Sequence, residues 1–179
     1  MPELKYAYSA TLETAQVGKT CKYVINELKE WQGKIDPERF YIAEYDETLK
    51  ILIAEVINLE SPLLDKTLVQ RIARVHGFSR AGRLIRERVM EVVDQNYHVA
   101  TDHFGEDFIW LSEAQRADWN AFRLPSTDAD VRQVDAIPSE ELRALALSIE
   151  GENKVSEMAK SLGIKRLTSQ ARQRLESII

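Results

Sequence analysis

RIARVHGFSRAGRLIRERVMEVV, running from Arg71 to Val93, is the stretch whose reading decides the fold. Leu68, Val69, Ile72 and Val75 recur at helical spacing up to Gly77, a residue suited to the left-handed turn that closes a helix. Ser79 then stands where a cap is expected for a longer helix carrying Leu84, Ile85, Val89, Val92 and Val93 inward. Across residues 71–88, Arg71, Arg74, Arg80, Arg83, Arg86 and Arg88 face a single acid, Glu87. Two helices joined by a glycine turn, the second basic, form a helix-turn-helix pattern.

Upstream, Asp46 to Leu59 reads as a further helix with Leu49, Leu52, Ile53, Val56 and Ile57 apolar. Glu60-Ser61-Pro62 stops it, because proline holds the residue before it extended. Asp65 or Thr67 is placed to cap the helix that leads to Gly77. Downstream the period changes to two: Tyr97, Val99, Thr101, Phe108 and Trp110 alternate around a turn at Phe104–Asp107, which predicts a hairpin. Three helices and a hairpin, in that order, make a winged helix-turn-helix.

Toward the N-terminus, Tyr6, Tyr8 and Leu12 suggest an extended piece. Val24, Ile25, Leu28 and Trp31 predict a helix over residues 21–32, with Gly33 at its end and Cys21 in its core. Beyond the hairpin, residues 112–136 read as a linker, with a turn-forming run at Pro125–Asp128. Pro138-Ser139-Glu140-Glu141 opens a helix through Ile149, and Gly151-Glu152-Asn153 breaks it.

The chain repeats itself. An offset of 86 places Ala73, Gly77, Arg80, Arg86 and Arg88 on Ala159, Gly163, Arg166, Arg172 and Arg174, so HGFSRAGRLIRERV matches LGIKRLTSQARQRL. The second copy has no hairpin. The expected fold class is therefore mainly α with a small β-hairpin: a winged helix-turn-helix plus a second, wingless helix-turn-helix-like repeat. The expected divisions are an N-terminal extension (1–45), the winged unit (46–111), the linker (112–136) and the second repeat (137–179).

Bulk composition narrows the function classes. The 179 residues carry a net charge of −5, with 44% hydrophobic and 30% charged residues, as in a soluble globular protein. No apolar run reaches the ~20 residues that span a bilayer. The N-terminus carries acids early and has no apolar core of a signal peptide. One cysteine precludes an intrachain disulfide, and a reducing, cytoplasmic setting is the simplest fit. Residues 61–96 hold 7 bases and 4 acids, whereas residues 97–136 hold 3 bases and 8 acids. The clearly positive segment coincides with the helix-turn-helix pattern, which is where phosphate contact would need it.

Other motifs resolve to structural readings. Val17-Gly18-Lys19-Thr20 lacks the earlier glycine of a phosphate loop, because Glu13 occupies that position. His98 and His103 point to opposite faces of a regular hairpin and lack a cysteine cluster, so no metal site is expected. His76 is expected near a helix C-terminus, favourably placed against the dipole. Glu44, Asp46, Glu47 and Lys50 sit at a helix start, where acids act as caps. No Ser/His/Asp or Cys/His grouping stands out. Neither catalytic residues nor a cofactor nor a small-molecule ligand is expected.

The same residues resemble a family, the small C-terminal domain of large bacterial superfamily 1 helicase-like proteins that often also carry a Vsr-like endonuclease domain. Asp36-Pro37-Glu38-Arg39-Phe40 carries the resemblance into Glu60-Ser61-Pro62-Leu63, where the family usually has Glu-Gly-Pro-Ile. So do Arg71–Gly82, the closing Asp107-Phe108-Ile109-Trp110, and Leu162-Gly163-Ile164-Lys165-Arg166 in the second copy. Helicase motifs and a nuclease core are absent from the sequence, so the resemblance implies a non-catalytic accessory part of a DNA-processing protein.

The expected partner is duplex DNA, met through Arg74, Ser79, Arg80, Arg83 and Arg86 in the first unit and Lys165, Arg166 and Arg172 in the second. The competing expectation is a docking module for a helicase core or another protein, with Trp31, Trp119 and Phe122 as anchors.

Overall fold

Residues 18–179 are described by the structure, a computed structural model. The extended piece expected around Tyr6, Tyr8 and Leu12 lies outside them. Among the described residues the protein is mainly helical with two small sheets.

The expected helix over residues 21–32 is replaced by strand β1 (Lys19–Lys22), an irregular segment and one 3-10 turn at Lys29–Trp31. Two interactions override the helical spacing. β1 pairs in parallel with a distant strand, and Glu60 accepts hydrogen bonds from the Asn26 backbone N–H (2.8 Å) and the Tyr23 hydroxyl (2.7 Å). Leu28, at φ 54°, is left-handed and would break a helix in any case. Cys21 lies exposed on β1 and is not a core residue.

α1 (Asp46–Glu60) buries Leu49, Leu52, Ile53, Val56 and Ile57, the face its spacing predicts. β2 (Leu63–Leu64) leads into α2 (Asp65–Val75). Asp65 is the first residue of α2 and not its cap; the cap position is Leu64.

α3 (Arg83–Asn96) begins three residues later than Ser79 would place it, with Gly82 at the cap position and no capping side chain. Phe78 is the reason. Its ring packs on Phe40 (5.2 Å between centroids) and His76 (5.8 Å), which pins the turn to the core and leaves Ser79–Gly82 to cross to the helix. The buried stripe of α3 is Ile85, Val89, Val92 and Val93. Leu84 falls about 100° from Ile85 and is 58% exposed, where an inward position was expected.

β3 (His98–Thr101) and β4 (Asp107–Trp110) form the hairpin, and β4 also pairs with β2, giving a three-stranded antiparallel sheet ordered β2-β4-β3. Both faces of β4 are covered. Ile109 joins the core of the three helices, whereas Phe108 and Trp110 cluster with Leu64 and Ala100 on the other side. That is why Phe-Ile-Trp is apolar without alternation.

Residues 112–136 are more than a connection. They form α4 (Glu113–Ala117), β5 (Ala121–Leu124) paired with β1, and 3-10 turns at Asp128–Asp130 and Val134–Ala136. Phe122 and Arg123 on β5 are buried. α5 (Ser139–Ser148), α6 (Lys154–Ser161) and α7 (Ser169–Glu176) then enclose a second core of Leu142, Leu145, Met158, Leu162 and Leu175. No helix among the described residues is long and apolar enough to cross a membrane.

Candidate nucleic-acid interface

The two glycine turns have the same geometry. Gly77 and Gly163 both sit at φ 74°. The Gly77 N–H donates to Arg74 O and the Phe78 N–H to Ala73 O, each at 3.0 Å. In the second copy, Gly163 donates to Lys160 O (3.0 Å) and Ile164 to Ala159 O (2.9 Å). Each turn thereby satisfies two carbonyls at the end of its helix. The elements also keep the sequence offset: α2 ends at Val75 and α6 at Ser161, and α3 opens at Arg83 and α7 at Ser169.

Around the first turn, Arg74, Ser79 and Arg80 are exposed, and neither arginine makes an ion pair with a described residue. Arg83 pairs with Glu87 across one helical turn at 2.6 Å, both side chains being more than half exposed. Such a pair is worth no more than about 1 kcal/mol, so Arg83 can be recruited by another anion. Arg86 is placed differently. It pairs with the buried carboxylate of Asp65 and ties α3 to the start of α2. Arg80, Arg83 and Arg86 therefore do not form one free face: Arg80 lies on the loop and Arg86 is engaged inward.

The second turn presents a parallel set. Arg166 is exposed and makes no ion pair with a described residue. Lys165 pairs with Asp128 at 2.6 Å, both ends largely in solvent, and Arg172 lies 3.9 Å from Glu176. α3 and α7 also carry no acid in their first turns, unlike α1, α2, α5 and α6. An acid there would compensate the helix N-terminus, so its absence leaves both basic turns open to an external anion.

The remaining arginines of the stretch are spent inside the fold. Arg71 makes a two-pronged pair with Glu60, from Nε at 3.1 Å and Nη2 at 3.0 Å. Arg88 pairs with Asp46 and donates to the carbonyl oxygens of Phe40 and Ile42. Their spacing resembles that of a contact surface, and only the three-dimensional neighbours separate the two roles.

His76 stands at the C-terminal cap of α2, the helix end expected for it, and its ring is buried. Its Nδ1–H donates to Ile72 O at 2.6 Å, which leaves Nε2 to accept from the Tyr45 hydroxyl at 2.9 Å. Burial pushes its pKa below the usual histidine value, only partly offset by the Ile72 hydrogen bond, so the ring is neutral.

The hairpin turn does not project into solvent as a free wing would. The Asp102 carboxylate receives Arg174 Nη2 from α7 at 2.6 Å and the Ser139 hydroxyl at 3.1 Å, and Arg174 also donates to Ile137 O at 2.9 Å. The Arg174 guanidinium stands over the Phe104 ring at 4.2 Å. Ser139 Oγ also lies 3.1 Å from His103 Nδ1, so a serine, a histidine and an aspartate that are scattered in sequence meet here. They do not form a catalytic triad. A triad places histidine between serine and carboxylate, whereas here the serine contacts both, is only 2% exposed, and faces a carboxylate already neutralised by Arg174. Among the described residues, no group of three or more His, Cys, Asp or Glu side chains is placed to hold a metal ion.

The anticipated aromatic anchors are largely internal. Phe122 is 5% exposed. Trp119 is half-buried edge-on against Trp110, and the Trp31 indole N–H donates to Glu55 at 3.0 Å.

Compared with known proteins, the chain is similar over residues 38–87 to a family described as a protein of unknown function (DUF3320). The matched segment runs from the 3-10 turn at Pro37–Arg39 through α1, β2, α2 and the Gly77 turn into α3. No curated protein and no solved structure matches the chain.

Proposed function

We propose that this chain is a non-catalytic DNA-binding accessory module, with residues 46–111 acting as a winged helix-turn-helix and residues 137–179 as its wingless partner. The order α1-β2-α2-α3-β3-β4, with β2 added to the hairpin, supports the winged assignment. One observation carries the DNA reading: Arg74, Arg80 and Arg83 cluster around the Gly77 turn and the acid-free opening of α3, on an otherwise acidic chain. Recognition helices meet DNA with their N-terminal residues, where phosphate contacts set position and base contacts set specificity. Because the hairpin turn is held by Arg174, contact runs through the turn and α3 and not through the wing. The resemblance of these motifs to the C-terminal part of helicase-like proteins supports reading the module as an accessory part of a larger DNA-processing chain.

Fluorescence anisotropy with a labelled duplex at two salt concentrations tests the reading. Wild type binds with affinity that falls as salt rises, and Arg80→Glu/Arg83→Glu abolishes binding; absence of wild-type binding at low salt refutes it.

One observation favours protein docking as a second reading. Leu84, in the first turn of α3, is 58% exposed among the basic side chains. If this surface meets a helicase core or another protein, Leu84→Glu abolishes capture of that partner, while duplex binding by wild type is absent.

A further inference from the structure

We infer that the two helix-turn-helix units engage one duplex together, and that the Asp102–Arg174 joint sets the spacing between them. The inference rests on the DNA-binding reading above and extends it from one contact to two.

Ser79 and Arg80 at the first turn correspond, at the offset of 86, to Lys165 and Arg166 at the second. The two turns share their glycine conformation and backbone hydrogen bonds. Lys165 and its partner Asp128 remain 78% and 82% exposed, so a phosphate can replace that carboxylate at little cost.

Two contact surfaces gain most from acting together when their separation is held to match the sites they meet, since a connection that is too long and loose lowers the effective concentration of the second contact. Here the connection includes a buried, charged joint at the hairpin, besides Arg123, which donates to the Glu60 and Pro62 carbonyls (2.6 Å each) and pairs with Glu141 of α5. Asp102, on the first unit's hairpin, takes Arg174 of α7 and Ser139 of α5, and all three residues are less than 10% exposed. The same carboxylate shapes the hairpin by accepting the N–H groups of Phe104 (2.9 Å) and Glu106 (3.2 Å). A part that would serve as a wing in an isolated unit here acts as the peg that seats one unit on the other. Asp102 and Arg174 are positioning residues, and Lys165 and Arg166 form the second contact.

The experiment measures the salt dependence of anisotropy on one duplex of about three helical turns, using the full chain. Removing Lys165 and Arg166 together (Lys165→Ala/Arg166→Ala) lowers the slope of log affinity against log salt by about 1.8, at about 0.9 per phosphate. Asp102→Asn keeps an acceptor for the hairpin turn but presents an amide to Arg174. It lowers the slope to the same degree, and adding Lys165→Ala/Arg166→Ala to it changes nothing more. That non-additivity separates positioning from a general loss of fold, and circular dichroism checks that Asp102→Asn is folded. Ser139→Ala, which removes a smaller part of the joint, replaces it if it is not.

An unchanged slope in Lys165→Ala/Arg166→Ala overturns the two-contact inference, as does an equal loss with and without the joint. If Arg80→Glu/Arg83→Glu still abolishes binding in that case, the DNA-binding reading stands. Absence of any wild-type binding overturns both.

Discussion

Arg88 and Arg174 are equivalent positions of the repeat and make equivalent contacts. Arg88, on α3, reaches the Phe40 and Ile42 carbonyls and Asp46, just ahead of and at the start of α1. Arg174, on α7, reaches the Ile137 carbonyl just ahead of α5. Each closes its three-helix unit by binding the backbone that leads into the first helix. They differ in the carboxylate. Asp46 belongs to the same unit as Arg88, whereas Asp102 reaches Arg174 from the hairpin of the other unit. The repeat therefore explains where the joint between units comes from: a closing contact whose acid is supplied from outside.

That difference sets a stability order. Arg174→Ala strands a buried carboxylate, which costs about 3–5 kcal/mol. Arg88→Ala leaves Asp46 with its side chain 41% exposed to water, and costs about 1–2 kcal/mol through the lost carbonyl hydrogen bonds. Urea denaturation of the two variants reads the order directly, and equal losses contradict the account.

The turn glycines are equivalent in backbone but not in surroundings. Both need a left-handed conformation, so alanine at either is strained by about 1 kcal/mol. A Cβ at Gly77 meets nothing within 4 Å, whereas one at Gly163 would stand 2.9 Å from Val131 Cγ2 and 3.3 Å from Pro125 Cγ. Gly163→Ala lowers the melting temperature more than Gly77→Ala. A larger effect at Gly77 would show that the second turn is not packed against residues 125–131.

Much of this architecture is legible in the residues themselves. α1, α2, the Gly77 turn and the hairpin follow from local spacing and turn chemistry, and the offset of 86 marks both ends of the turns. What is not legible depends on distant neighbours. Residues 21–32 have helical spacing, yet Glu60 and β5 claim their backbone. Arg71, Arg86 and Arg88 have the spacing of a contact surface, yet Glu60, Asp65 and Asp46 claim their side chains. Asp102 and Ser139 carry no local signal, and Arg174 carries only its match to Arg88, because the joint exists only once the two units pack.

Acid should loosen the contact between β5 and α5. Glu141 is fully buried, which opposes its charge, yet Arg123 (2.7 Å) and Arg132 beside it hold its pKa down from 4.5 to about 2. Between those values the unfolded chain binds a proton that the folded chain does not. The stabilisation is therefore complete above about pH 4.5 and is lost as pH falls toward 2. In Glu141→Gln the urea midpoint is lower at neutral pH and declines less steeply between pH 4.5 and 2.5. A slope as steep as wild type assigns the acid sensitivity to another carboxylate.

His76 gives a second pH window. Its pKa is depressed by burial, so the folded chain keeps the ring neutral where the unfolded chain protonates it, from about pH 6.5 downward. Stability from this source is present above that pH and declines as pH falls through the folded-state value. His76→Phe removes the slope that begins below about pH 6.5, though it costs stability at every pH by leaving the Tyr45 hydroxyl without its acceptor. A variant with the wild-type slope would show that His76 does not titrate with unfolding.

The arginines of the first turn separate binding from folding. Arg80 has no ion-pair partner among the described residues, and Arg83 has only an exposed one, so Arg80→Glu/Arg83→Glu leaves the melting temperature within about 2 °C of wild type, as surface substitutions do. The same variant abolishes salt-sensitive duplex binding if the turn meets phosphates. Arg86→Glu behaves in the opposite way. It sets a second acid against the buried Asp65 and so lowers the melting temperature before it touches binding. Anisotropy and thermal denaturation of these two variants therefore move independently. If Arg86→Glu loses binding while melting like wild type, Arg86 is part of the contact after all, and the Asp65 pair yields to the nucleic acid.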